Sequence, residues 1–167
     1  SSAAEPEPAP ADLDALRTMV REGRLAEVME RGHALAARFP ASVPLLNILG
    51  STAVTLARYE EGETLLRRAL AINPSHFRVL NNLGLALAGQ ERREEAEAMH
   101  RQAIAINPDY AHAHNALGTI DQEKGDLAAA IERYRRAIAL APDATDALNN
   151  LGTALELRGD HAEAIAC

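Results

Sequence analysis

Tryptophan is absent, and aromatic residues make up only 3% of the 167-residue chain, although 47% of it is hydrophobic. A core so poor in rings must be filled by alanine and leucine, which suits close helix-on-helix packing better than a sheet. Cysteine occurs once, at Cys167, the last residue. A disulfide framework within one chain is therefore excluded, as is a cysteine-based metal site. Lysine also occurs once, at Lys124, and 17 Lys+Arg face 24 Asp+Glu for a net charge of −7. That balance argues against broad binding to nucleic acid or to an anionic membrane, both of which require an excess of cations. Apolar runs are far too short to span a bilayer and no signal peptide is visible, so a soluble, cytoplasmic protein with no membrane insertion is expected. Residues 1–10, rich in Ala, Pro and Glu, read as a flexible linker that buries nothing.

What the chain does have is a period. Pro40, Pro74, Pro108 and Pro142 stand at a constant step of 34 residues. In phase with them run Leu49-Gly50, Leu83-Gly84, Leu117-Gly118 and Leu151-Gly152, with an asparagine two residues before each leucine (Asn47, Asn81, Asn115, Asn149). Ala69, Ala103 and Ala137 form a further column. No insertion or deletion breaks the phase.

Each period resolves into two helices. A first apolar stripe (Leu80, Leu83, Gly84, Leu87) has helical spacing, a polar break follows, and a second stripe runs Ala96, Met99, Ala103, Ile104. Proline then stops the second helix, because it cannot donate and disfavours helix in the residue before it. Ser42, Ser75, Asp109 and Asp143 are the expected N-caps of the following helices. The in-phase glycines and alanines should let helix backbones approach closely. Glu63–Arg67, Glu97–Arg101 and Glu132–Arg136 are spaced i,i+4 with the acid first, the better orientation for the helix dipole, and read as a solvated outer face.

A helical hairpin of this length with Leu-Gly, a downstream Ala and a closing Pro resembles the tetratricopeptide repeat. The resemblance covers about residues 9–167 and implies an all-α fold, a right-handed α-solenoid of antiparallel hairpins. About five units are expected: a degenerate 9–42, then 43–76, 77–110, 111–144, and 145–167, which stops in mid-pattern. The array proper is assigned to 11–167. The abrupt last unit implies that the natural protein continues, and that apolar surface around Leu148, Leu151, Leu155 and Ile165 is exposed for self-association.

In this family the first helices line a concave groove that binds extended peptide. The resemblance places there Asn47 and Ser51, then Arg78, Asn81, Asn82 and Leu85, then His112, Asn115, Thr119 and Gln122, then Asp146, Asn149, Asn150 and Thr153. Spacings of three, four and seven put each set on one helical face. An asparagine amide both donates and accepts, so a column of them could hold a peptide backbone without demanding a sequence, or could bridge neighbouring helices. The repeats are most similar to those of bacterial O-linked N-acetylglucosamine-transferase-like and sulfotransferase-like proteins. In the former an inner asparagine ladder stands directly before Leu-Gly, where this chain has Ile48, Asn82, Ala116 and Asn150. A carboxylate clamp for chaperone C-termini is not expected, since only one lysine is present. Glu123, Asp146 and Glu156 make neutral or basic segments the expected partners.

His100, His114 and Asp121 stand where neighbouring repeats place Leu or Tyr. They suggest a buried polar cluster; partly exposed polar positions or a His–Asp hydrogen bond are preferred over a metal site. No Gly-rich phosphate loop and no activated nucleophile is discernible. The expected function is thus a protein-interaction scaffold, not an enzyme in these residues, with no cofactor and no metal. The alternatives are the substrate-recognition arm of a larger glycosyltransferase- or sulfotransferase-like enzyme, and an oligomerisation platform.

Overall fold

The computed structural model describes residues 7–160 and Ala164. Among these, every regular element is an α-helix: α1 (Pro10–Arg21), α2 (Leu25–Arg38), α3 (Val43–Thr55), α4 (Tyr59–Ile72), α5 (Phe77–Gly89), α6 (Arg93–Ile106), α7 (Ala111–Glu123), α8 (Leu127–Leu140) and α9 (Thr145–Arg158). The chain divides into two compact units, Ser1–Arg92 with α1–α5 and Arg93–Cys167 with α6–α9. None of these helices is long and apolar enough to cross a membrane.

In the first unit α1 pairs with α2, and α3 with α4. Each first helix also packs on the next one, α1 on α3 and α3 on α5. Leu16, Leu45, Leu46, Leu49, Leu66 and Leu83 are all 2% exposed or less, so leucine fills this core as the composition implied. The second unit repeats the scheme with α7 on α8, α8 on α9, and α7 on α9. Its core includes a cluster of Ala130, Ile131, Tyr134, Leu151, Ala154 and Leu155, with Ala164 packed against it.

The Leu-Gly glycines have a more specific role than letting backbones approach. A Cβ on Gly50 would lie 2.5 Å from the Leu66 side chain, and one on Gly118 would lie 2.6 Å from the Tyr134 ring. The glycine is a notch in the first helix into which a large side chain of the second is set. Tyr134 is 1% exposed, and its hydroxyl donates to Gln122 Oε1 (3.1 Å).

Among the described residues, the turn after each first helix uses the same device. Gly23, Ala57, Glu91, Gly125 and Gly159, one repeat apart, all have positive φ (74°, 57°, 62°, 84° and 94°). Glycine takes this left-handed region freely, whereas Ala57 and Glu91 adopt it at a cost.

Several expectations need correction. Of the expected N-caps only Ser42 serves, its Oγ accepting from Leu45 N–H at 3.5 Å. The other first helices start one residue later, at caps His76, Tyr110 and Ala144. Ser75 and Asp109 instead donate their N–H groups to Asn73 and Asn107 in short side-chain turns. Within the expected linker, Pro8 is buried, Glu7 accepts from Ser42 Oγ, and Pro10 opens α1 at a position where its missing N–H costs nothing. The apolar edge expected for self-association is not exposed at Leu151 (6%) or Leu155 (0%), which α8 covers. Ile165 lies outside the described residues.

Of the three acids expected on a solvated face, Glu132 is exposed, whereas Glu63 and Glu97 are not. Glu63 and Glu97 keep their i,i+4 partners Arg67 (2.8 Å) and Arg101 (2.6 Å), yet their side chains are only 15% and 12% exposed. Each reaches the following turn as well: Glu63 accepts from Gln90 and Arg92 (both 2.8 Å), and Glu97 from Lys124 (2.5 Å). Burial pushes the Glu63 carboxyl up, but the hydrogen bonds from Gln90, Arg67 and Arg92 outweigh it and hold the group below the usual carboxylate range. At Glu97 the Lys124 hydrogen bond is the dominant influence and also lowers it, against burial. Arg136 reaches Asp109 (2.9 Å), one turn back along the repeat.

Candidate functional site

The asparagines are joined across repeats, with a step of 35 residues rather than 34. Asn82 donates its side-chain N–H to Asn47 Oδ1 (2.9 Å), linking α5 to α3. Asn150 donates to Asn115 Oδ1 (3.1 Å), linking α9 to α7. A residue of the continuous column is thus acceptor to the residue directly before Leu-Gly in the next repeat. All four are part-buried, and each rung leaves amide groups over: Asn82 and Asn150 keep a second N–H and the carbonyl oxygen. Asn81 belongs to the same column but is only 3% exposed, so it presents no amide to a ligand. Asn149 is exposed.

The remaining expected groove residues behave unequally. Ser51 and Thr153 turn their hydroxyls back onto carbonyls of their own helices, at Ile48 (3.1 Å) and Asn149 (3.1 Å). Thr119 does the same to Asn115 (3.3 Å). Gln122 is engaged by Tyr134. Leu85 is 40% exposed, an apolar side chain in contact with solvent.

Two clefts gather the others, one in each unit. The first, about 440 Å³, is bounded by Arg17, Pro44, Asn47, Ile48, His76, Phe77 and Arg78, at the start of α3 and α5. The Arg78 guanidinium lies 5.7 Å from the centre of the Phe77 ring, and Arg17 bonds Asp14 at 2.8 Å. The second, about 280 Å³, opens between the starts of α7 and α9 and the end of α8. His112, Asn115, Thr145 and Asp146 supply its polar lining, and Ala111, Ala137, Ala141, Ala144 and Ala147 the rest. His112 stacks on Tyr110 with centroids 5.2 Å apart.

By repeat position the two clefts overlap at the helix starts. Pro44 corresponds to His112, Asn47 to Asn115, Phe77 to Thr145 and Arg78 to Asp146. These positions are shared, and at Arg78/Asp146 the charge is inverted. The expectation of neutral or basic partners therefore suits the second cleft, whereas the first carries two arginines. Arg17, Phe77, His76 and the alanine wall were missed in the sequence, although their place at the helix starts, beside the Asn column, marks them.

Two of the three residues His100, His114 and Asp121 have partners outside the expected cluster. His114 Nε2 bonds Pro108 O (2.7 Å), and Arg133 Nε donates to Asp121 (2.5 Å). His100 is 1% exposed, and burial lowers its pKa to about 4. Among the described residues no group of three His, Cys, Asp or Glu side chains is arranged to hold a metal ion.

No curated protein matches the chain. Solved structures do, at identities that speak to the fold. A MamA fragment from Desulfovibrio magneticus RS-1 is 21% identical with a TM-score of 0.73, covering 98% of this chain and 92% of that one. PilF of Pseudomonas aeruginosa is 20% identical with a TM-score of 0.78, covering 93% and 71%. A thermophilic TPR protein of Thermus thermophilus is 26% identical with a TM-score of 0.73, covering 94% and 81%. Tetratricopeptide repeat family models match residues 42–109 and 115–166, well over half of the sequence. With its period, its hairpins and these matches in agreement, the chain belongs to the tetratricopeptide repeat family.

Proposed function

We propose that the first-helix face of each unit binds an extended protein segment, and that the bridged asparagines are its backbone-reading element. The observation that carries this reading is the pair of rungs, Asn82 to Asn47 and Asn150 to Asn115. Each rung fixes an amide in orientation while leaving donor and acceptor capacity on a solvent-accessible surface. Pre-oriented groups lose little side-chain entropy on binding, which favours affinity. Such amides match a peptide unit whatever side chain it bears, so the rungs supply grip and the neighbouring clefts supply selectivity. Asn82 and Asn150 are also the residues on which the likeness to the N-acetylglucosamine-transferase-type asparagine ladder rests. His112, Asn115 and Asp146 serve one cleft and Asn47 and Arg78 the other. Leu85 offers an apolar contact in between the polar positions of α5. The chain acts by binding rather than by catalysis.

The test is a blocked-peptide array read against wild type and the Asn82→Ala/Asn150→Ala variant. Wild type binds a subset of peptides, and the variant loses most of them with its helical content intact. Retention of every binder by the folded variant removes the asparagines from recognition.

A further inference from the structure

The second cleft has the walls and the charge of a receptor for one kind of side chain. Five alanines line it, and its single acidic group is Asp146. Asn115, which holds the rung to Asn150, borders the same space and ties it to the backbone-reading face. An alanine surface offers methyl contacts and no hydrogen-bonding side chain, so it suits an aliphatic stem. A carboxylate beside that surface suits a cation at the stem's end. Lysine combines the two, since its methylenes can lie along apolar surface while its ammonium stays near water and an acid. The corresponding cleft of the first unit places Arg78 where the second has Asp146, and Phe77 where it has Thr145. That site repels the same cation.

We propose that the Asp146 cleft is a pocket for a basic side chain of the bound segment, and that residue 146 sets the charge it accepts. This rests on the groove reading above and adds the chemical class of one ligand residue.

The probe is a blocked alanine/serine peptide with one central lysine, compared with the same peptide carrying norleucine or glutamate, followed by amide chemical shifts of the whole chain. The lysine peptide shifts Asn115 and residues 144–147 and binds about two- to five-fold more tightly than the norleucine peptide, the range of a partly exposed ion pair. The preference shrinks with added salt. Asp146→Asn abolishes the lysine advantage, and Asp146→Arg transfers it to glutamate. Both changes lie at an exposed position, and circular dichroism verifies the fold. Equal binding of lysine and norleucine, or a lysine advantage that survives Asp146→Asn, overturns the proposal while shifts at Asn82 or Asn150 leave the groove reading standing. If none of the peptides moves any first-helix amide, the groove reading falls, and this proposal with it.

Discussion

Asn82 and Asn47 face each other across adjacent repeats, the amide of one donating to the carbonyl of the other over 2.9 Å. The bond joins two first helices whose backbones share no hydrogen bonds, so it contributes to how α3 and α5 are set as well as to the surface they present. Asn82→Ala and Asn47→Ala are each expected to cost about 0.5–1.5 kcal/mol in urea unfolding. The double variant should cost less than their sum, by a coupling of about 0.5 kcal/mol or more. Strict additivity would mean that the rung does not form in solution.

The notch at Gly118 predicts a steric effect. A methyl group there would sit 2.6 Å from the Tyr134 ring, whose hydroxyl is held by Gln122, leaving the ring little freedom to withdraw. Gly118→Ala should therefore destabilise by about 1–3 kcal/mol, although alanine is the better helix former. A neutral or stabilising result in thermal unfolding would show that the ring moves aside.

Two of the five left-handed turn residues are not glycine. Ala57→Gly and Glu91→Gly should each raise stability by about 0.5–1 kcal/mol, the relief of left-handed strain less the entropy glycine adds to the unfolded chain. Gly125→Ala, at the same repeat position, should lower it by a similar amount. Denaturant midpoints of the three variants, compared at unchanged slope, decide the matter.

Acid should weaken the fold in two windows. His100 is held neutral, with its pKa depressed to about 4 by burial, whereas in the unfolded chain it titrates near its ordinary 6.5. The unfolded state therefore takes up a proton first as pH falls from 6.5 towards 4, and stability drops across that interval by up to about 3 kcal/mol. His100→Leu, matching Leu66 one repeat earlier, should flatten this portion of the curve. Glu63 and Glu97 are depressed carboxylates, so their stabilisation is present above about pH 4.3 and is lost as pH falls further through their folded values. Unfolding titrations of wild type and His100→Leu separate the two windows.

The hairpins were legible because the step of Pro40, Pro74, Pro108 and Pro142 is a covalent fact, and helical spacing between prolines leaves few alternatives. Helix starts were less so. The capping position is occupied in turn by Ser42, His76, Tyr110 and Ala144, and only the first has a strong capping side chain. Ser75, Asp109 and Asp143, one residue early, looked the better caps. The asparagine rungs were visible as two separate columns, but their connection follows a 35-residue offset set by how neighbouring helices are staggered. Stagger is a property of packing, and no in-phase column reveals it. Glu63 and Glu97 misled for the same reason: their i,i+4 partners were evident, but the turn groups that bury them belong to the next repeat.

The 35-residue offset also bears on how such a chain can lengthen. Asn149-Asn150 places a residue of the acceptor column directly beside the donor of a rung. Tandem duplication of one such 34-residue segment would set the donor of the new copy against the acceptor of the old. Each added copy would then bring its own cross-repeat rung, with no second mutation needed to find a partner.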